Sequence, residues 1–256
     1  MPISSHIDLG SIAERLKHSV FRQPENARLK VWRYMDLPKF IWLLTERKLA
    51  FPRLDTLADG HEGSITNKTI EWIKRSMRDQ KTQDGWDVIS KHFKQVPGRT
   101  FVSCWHANDH ESEAMWRLYC GLGGGVAIQT TYDLLVASIE EQRDVYIGCV
   151  NYIDYETQSI PDANFYAPVM HKRISFAHEN EVRLVTSPEA ARGRKVQGAP
   201  TVLTIPWDYE RYLEKVYVSP YAPDYFHTAV RSVINAFAPN LEARLVWSYM
   251  KAEPVF

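Results

Sequence analysis

Apolar and polar positions alternate with period two over Phe176–Val185 (FAHENEVRLV). The pattern predicts an extended strand in which Glu179, Glu181 and Arg183 share one face, opposite Asn180, Val182 and Leu184. Phe176, Val182, Leu184 and Val185 place that strand inside a packed sheet, where a charge is costly unless it is paired or used in a site. The alternative is a solvated strand face carrying an ion pair. Upstream, residues 1–30 read as a helical lead-in and Lys30–Tyr34 (KVWRY) as a short strand. Leu37–Arg47 reads as a helix, with Asp36 at its N-cap and Pro38 in its first turn. Lys48–Phe51 is a short strand, 53–63 a polar loop and Lys68–Gln80 a strongly charged helix. A linker at Pro97–Gly98 leads into the β-rich run Thr100–His106 (TFVSCWH), and Glu111–Cys120 follows as a helix with an acidic first turn.

The glycines at 121, 123, 124 and 125 stop that helix before a strand at Val126–Thr130 and an amphipathic helix over Thr131–Glu141. Strands near Asp144–Tyr152, Thr201–Pro206, Leu213–Val218 and Ala243–Ser248, with a helix across Asp224–Phe237, complete the pattern. Helices gather early and strands dominate the second half. That order predicts an α+β fold rather than a doubly wound parallel sheet. No repeat and no long Pro/Gly/Ser linker interrupts it, so a single domain over residues 1–256 is expected.

Composition adds bounds rather than chemistry. The 256 residues are 45% hydrophobic and 24% charged, an ordinary globular balance, with Lys+Arg and Asp+Glu equal at 31 each. No overall cationic field recruits nucleic acid or an anionic membrane. Cys104, Cys120 and Cys149 are odd in number and sit in apolar segments, which predicts free thiols in a reducing, cytoplasmic setting. The first twenty residues carry neither the basic nor the apolar region of a secretory signal, and no run reaches membrane-spanning length.

Polar groups on separate strands supply the candidate chemistry: Arg33 in VWRY, Ser103 in FVSCW, and Glu179 with Glu181 in HENEVR. A guanidinium grips phosphate through a planar fork, a serine hydroxyl orients a carboxylate or a ribose hydroxyl, and a carboxylate stabilises oxocarbenium character at an anomeric carbon. Together they form a grip on a phosphorylated nucleotide with a reactive glycosidic bond. Trp105 and Trp116 stack on a nicotinamide or adenine ring, or else fill the core. Asp59 and Glu62 lie in the polar loop, either bordering the cleft or as solvated acids. Cys104 with His106 lacks an orienting acid and reads as a structural cysteine. His106, His110, Glu111 and Glu113 make only a loose metal pattern, because the intervening Ala-Asn-Asp reads as a loop leading to an N-cap. The Gly121–Gly125 run follows a helix and precedes a strand, the reverse of a pyrophosphate-binding turn.

VWRYMDL, LADGHEG, FVSCWH, EAMWRLYCGLGGGVAI, the K-x-x-x-F-x-x-E-x-E-V-R segment at Lys172–Arg183, and VYVSPYAP together resemble the bacterial domain-of-unknown-function 2971 family over residues 30–250. That family in turn resembles the ADP-ribosyltransferase fold of the arginine–serine–glutamate type. The resemblance implies split mixed and antiparallel sheets flanked by helices, with NAD as substrate and no metal. It also implies Arg33 on the NAD phosphates and ribose, Ser103 supporting the site, Glu181 at the nicotinamide ribose and Glu179 near the acceptor. The serine motif here is Ser-Cys-Trp, where toxin members carry a serine–threonine–serine run. The implied activity is transfer of ADP-ribose to a protein or nucleic-acid acceptor, as a toxin or phage-defence effector with a neutralising, antitoxin-like partner. Hydrolysis of NAD in the same site is the near alternative. A non-catalytic nucleotide- or protein-binding module is the alternative of another class. Glu181 separates them: an enzyme needs it open to a cleft, whereas a structural role needs both glutamates paired, with Arg183 the obvious partner.

Overall fold

The computed structural model describes residues 12–78, 85–121, 123–139, 145–160, 164–187, 200–252 and 254. In chain order the elements open with α1 (Ile12–Leu16), β1 (Lys30–Met35), α2 (Leu37–Glu46) and β2 (Lys48–Pro52). There follow α3 (Asn67–Arg78), α4 (Gly85–Gln95), β3 (Phe101–Ala107), α5 (Glu113–Cys120), β4 (Val126–Thr131) and α6 (Tyr132–Ala137). The second half holds β5 (Val145–Cys149), β6 (Asn151–Ile153), β7 (His171–Arg173), β8 (Glu181–Thr186) and β9 (Val202–Pro206). It closes with α7 (Tyr209–Tyr212), β10 (Lys215–Val218), α8 (Asp224–Phe237) and β11 (Leu245–Trp247). The class is α+β, with parallel and antiparallel pairings mixed.

The chain divides into two compact units: unit 1 is 1–24, 51–103 and 140–203, and unit 2 is 25–50, 104–139 and 204–256. In unit 2 the strand order is β11-β10-β4-β1-β3. β1 runs antiparallel to β4, with Trp32 opposite Gln129 and Arg33 opposite Ile128, and antiparallel to β3, with Trp32 opposite His106. Pleating sends Trp32 and Tyr34 to one face, where they pack with Met115 and Trp116 of α5, Ala127 and Tyr217. Arg33 therefore belongs to the other face. Helix α5 starts where the Ser112 hydroxyl accepts from Met115 N–H, and it ends at Gly121, whose φ is 61°. Gly125 is required by contact: a Cβ there would meet Cys120 Sγ at 2.5 Å and Met35 O at 2.8 Å.

In unit 1 the strand order is β3-β8-β5, with β8 antiparallel to β5 and Arg183 opposite Gly148. β6 and β7 form a separate parallel pair that sets Tyr152 beside Lys172. The expected strand over Phe176–Val185 is corrected here. Ile174–Glu179 is a 3-10 turn, and Asn180 takes a left-handed conformation at φ 35°. The strand begins only at Glu181. Glu181 and Arg183 share a strand face as expected, but Glu179 stands on the turn before it. The helix α4 lies where no element was expected. The charged helix is Asn67–Arg78, and the expected Thr131–Glu141 helix ends at Ala137, its last two residues outside the described set.

Candidate functional site

Burial turns HENEVR and its surroundings into one charged cluster inside unit 1. β8 is buried along its whole length. Arg183 is fully buried, and its guanidinium donates to both oxygens of Glu181, from Nε to Oε1 at 2.6 Å and from Nη2 to Oε2 at 2.9 Å. Its remaining donors reach Glu62, at 3.0 Å and 3.3 Å, and the carbonyl of Val169 at 2.6 Å. A planar guanidinium held between two carboxylates is satisfied by geometry that lysine cannot reproduce.

Lys172 ties the same carboxylates together from β7. Its ammonium lies 3.0 Å from Glu62, 2.6 Å from Glu179 and 3.7 Å from Glu181, with the Phe176 ring 4.7 Å from the charge. Burial works to lower its pKa, but the charges of Glu181, Glu62 and Glu179 outweigh burial and hold it above the ordinary lysine value. Tyr152 completes the support: its hydroxyl accepts from Glu181 N–H at 2.9 Å. Desolvation, with Glu181 second, raises the Tyr152 pKa, so the phenol stays protonated.

Two residues weighed as solvated loop acids are buried instead. Glu62 is 5% exposed and Asp59 9%, and Asp59 pairs with Arg173 at 2.7 Å. Gly63 makes the inward turn possible, for its φ is 72° and a Cβ would meet Leu54 Cδ2 at 2.7 Å. Sequence reasoning set Glu62 on a loop rim and passed over Lys172. The signal for Lys172 was the Lys172–Arg183 segment, in which lysine, glutamates and arginine recur within twelve positions, whereas nothing in the sequence around Glu62 marked it as buried.

Arg33 and Trp105 come together in unit 2. The guanidinium lies 5.8 Å from the Trp105 ring centroid and donates from Nη2 to Ala50 O at 2.9 Å. It is half-buried and makes no ion pair among the described residues. Desolvation lowers its pKa to about 10, against the opposing influence of the Cys104 thiol. Trp105 packs edge-on against Trp207, centroids 6.0 Å apart. Both indole Nε1–H groups are buried without an acceptor among the described residues. Ser103, fully buried in unit 1, likewise leaves its Oγ without a partner among those residues.

Within unit 1, Glu179 and Glu181 are joined through Lys172, and Ser103 lies on the unit 1 part of β3; within unit 2, Arg33 stands with Trp105. Trp116 is core, its indole donating to Glu111 at 3.0 Å. Glu111 also accepts from Tyr249 N–H, and Glu113 accepts from Arg117 and the Tyr221 hydroxyl. Among the described residues no group of His, Cys, Asp and Glu is arranged to hold a metal ion. None of the three cysteines is in a disulfide among the described residues, and the Cys120 thiol is pushed up to about 12 chiefly by burial. No described helix is long and apolar enough to cross a membrane. No family model, curated protein or solved structure matches the chain.

Proposed function

We propose that the protein is a non-catalytic module that binds a phosphorylated nucleotide, with NAD the first ligand to try, through Arg33 in unit 2. The observation that carries this reading is a half-buried guanidinium with no carboxylate partner among the described residues, stacked on Trp105, whose own buried N–H lacks an acceptor. Each buried donor without an acceptor costs about 1–3 kcal/mol, and an unpaired partly desolvated cation adds to that. A diphosphate relieves the cost at Arg33, and the Trp105 ring beside the guanidinium supports it while it binds.

Glu181 fits the module better than it fits catalysis. It is 4% exposed, with both carboxylate oxygens engaged by Arg183. A carboxylate so engaged has little left to offer an oxocarbenium ion. One observation favours the second reading, ADP-ribosyl transfer from NAD or its hydrolysis, in an ADP-ribosyltransferase-like architecture. Glu62, Glu179 and Glu181 outnumber Lys172 and Arg183 within the cluster, and that residual negative charge suits a developing cation. Such chemistry requires Arg183 to release Glu181.

Calorimetry of NAD binding to wild type and Arg33→Gln, run beside an assay of nicotinamide release with cell extract as acceptor source, tests both readings. Binding that weakens at least about tenfold in Arg33→Gln, without turnover, supports the module. Turnover that disappears in Glu181→Gln, assayed at a temperature where circular dichroism shows the variant still folded, replaces the module with the transferase. Failure of wild type to bind NAD, ADP or pyrophosphate removes the ligand assignment.

A further inference from the structure

In unit 1, helices α3 and α4 repeat one arrangement of side chains. Trp72, Ile73 and Met77 on α3 and Val88, Ile89 and Phe93 on α4, with Ser76 and His92 between them, line a cavity of about 350 Å3. These positions fall at i, i+1, i+4 and i+5 on each helix, which is a single face at 3.6 residues per turn. Ile73 and Phe93 form its buried side, at 5% and 8% exposure, whereas Trp72 is 51% exposed and Val88 69%. The packing of α3 on α4 therefore leaves apolar surface in water at one spot.

Among the described residues, the borders of that face carry one sign of charge. At the helical period Lys68 and Arg75 fall beside the Trp72 edge of α3, and Lys91 takes on α4 the place that Arg75 takes on α3. Lys74 borders the Met77 edge, its ammonium 4.8 Å from the Trp86 ring. The acids Glu71 and Asp87 turn to the far side of their helices. Lys68, Arg75 and Lys91 are exposed and form no ion pair among the described residues. An apolar cavity bordered by cations that form no ion pair among the described residues is complementary to a side chain carried on an acidic scaffold.

We propose that the α3/α4 groove docks an acidic amphipathic helix of a partner protein, which seats an apolar side chain between Trp72 and Val88 and sets carboxylates against Arg75 and Lys91. Two walls of helix offer the helix-in-groove geometry, read by the ligand as anchors at i, i+3 and i+4. The concave shape takes projecting side chains, which a flat lipid surface does not supply. A cavity of about 350 Å3 is more than twice the roughly 150 Å3 that encloses benzene, so it has room for two apolar side chains of the docked helix, such as those at i and i+4. This inference is independent of any ligand at Arg33.

The test uses the full chain and a labelled synthetic helix of about 16 residues, with leucines at i, i+3, i+4 and i+7 and glutamates elsewhere. The same peptide with lysines in place of glutamates is the control. Fluorescence anisotropy is expected to show binding of the acidic peptide alone. Val88→Glu and Lys91→Glu are each expected to weaken it at least about tenfold. Both positions are exposed, so melting temperatures should hold, and added salt should weaken the wild-type complex. Absence of binding, equal binding of the basic peptide, or indifference to Val88→Glu overturns the proposal. So does a dimer in light scattering that Val88→Glu dissolves, or binding of anionic vesicles lost in the same variant, for either assigns the groove to another occupant.

Discussion

Arg183 shows how one side chain fixes the meaning of its neighbours. A fully buried guanidinium is tolerable only when its donors and its charge are both answered, and here Glu181, Glu62 and Val169 O answer them. Removing one member of such a pair typically costs about 3–5 kcal/mol, whereas the exposed Arg117–Glu113 pair is screened by water and adds little. The charges of HENEVR therefore matter to the fold whatever else they do. Titration gives the residue scale a second handle. His171 is 8% exposed, with Nδ1 2.7 Å from Ala167 O, and burial lowers its pKa below 6.5 despite that hydrogen bond. A depressed imidazole contributes stability that is whole above pH 6.5 and is lost as pH falls through the folded value. The melting temperature should therefore drop between pH 7 and pH 5 by more in wild type than in His171→Asn. His227, also lowered first by burial and then by Arg231, stays in place in both proteins, so the difference isolates His171. Equal slopes would remove His171 from the acid limb. Lys172 works in the opposite sense: its raised pKa keeps its ion pairs intact below the ordinary lysine value of 10.5, and they fail only in alkali above it.

Elements were legible in proportion to how far local chemistry decided them. Helix α2 was readable because Asp36 caps it, accepting from Lys39 N–H, and because Pro38 fits its first turn. The end of α5 was readable in its glycines. Phe176–Val185 was misread as one strand because period two continues through a turn whose cause is a single backbone angle. Asn180 adopts φ 35°, a region open chiefly to glycine and asparagine, and so ends the 3-10 turn just before β8. The consequence is functional: Glu179 leaves the strand face and meets Lys172 instead of standing two places along from Glu181. Asn180→Gly should be close to neutral in stability, while Asn180→Val should cost at least about 1–2 kcal/mol through the left-handed penalty. Urea denaturation of the two variants checks this, and a valine variant as stable as wild type would deny that the turn depends on this angle. Helix α4 escaped notice because its apolar positions, Val88, Ile89 and Phe93, cluster on a narrow face among Lys91, His92 and Lys94. Glu62 escaped because loop acids usually meet solvent, and it is Arg183 and Lys172, both distant in sequence, that draw it in.

At the scale of the molecule, the class was readable and the division into units was not. Balanced charge, apolar fraction and element order all pointed to an α+β globule. A boundary between domains is ordinarily sought in a polar, Pro/Gly-rich linker. Here the chain passes from one unit to the other five times, at 24/25, 50/51, 103/104, 139/140 and 203/204, and the crossings at 50/51, 103/104 and 203/204 lie inside β2, β3 and β9. Strand residues fill those three, so composition does not mark them. Each unit is also assembled from separated segments of sequence, so closing either requires long-range contacts that local propensity does not provide. A cut at the middle crossing should thus leave no folded half. Residues 1–103 lack β5 and β8, with Glu181 and Arg183, and residues 104–256 lack β1 and α2. Each fragment expressed alone is expected to show no cooperative thermal transition, with Glu62 in the first deprived of Arg183 and β4 in the second missing its β1 neighbour. Recovery of a cooperative transition on mixing the fragments is consistent with this assembly. A sharp, independent transition in either fragment would show that one unit closes without its distant segments, and the division drawn from the fold would then not be its folding unit.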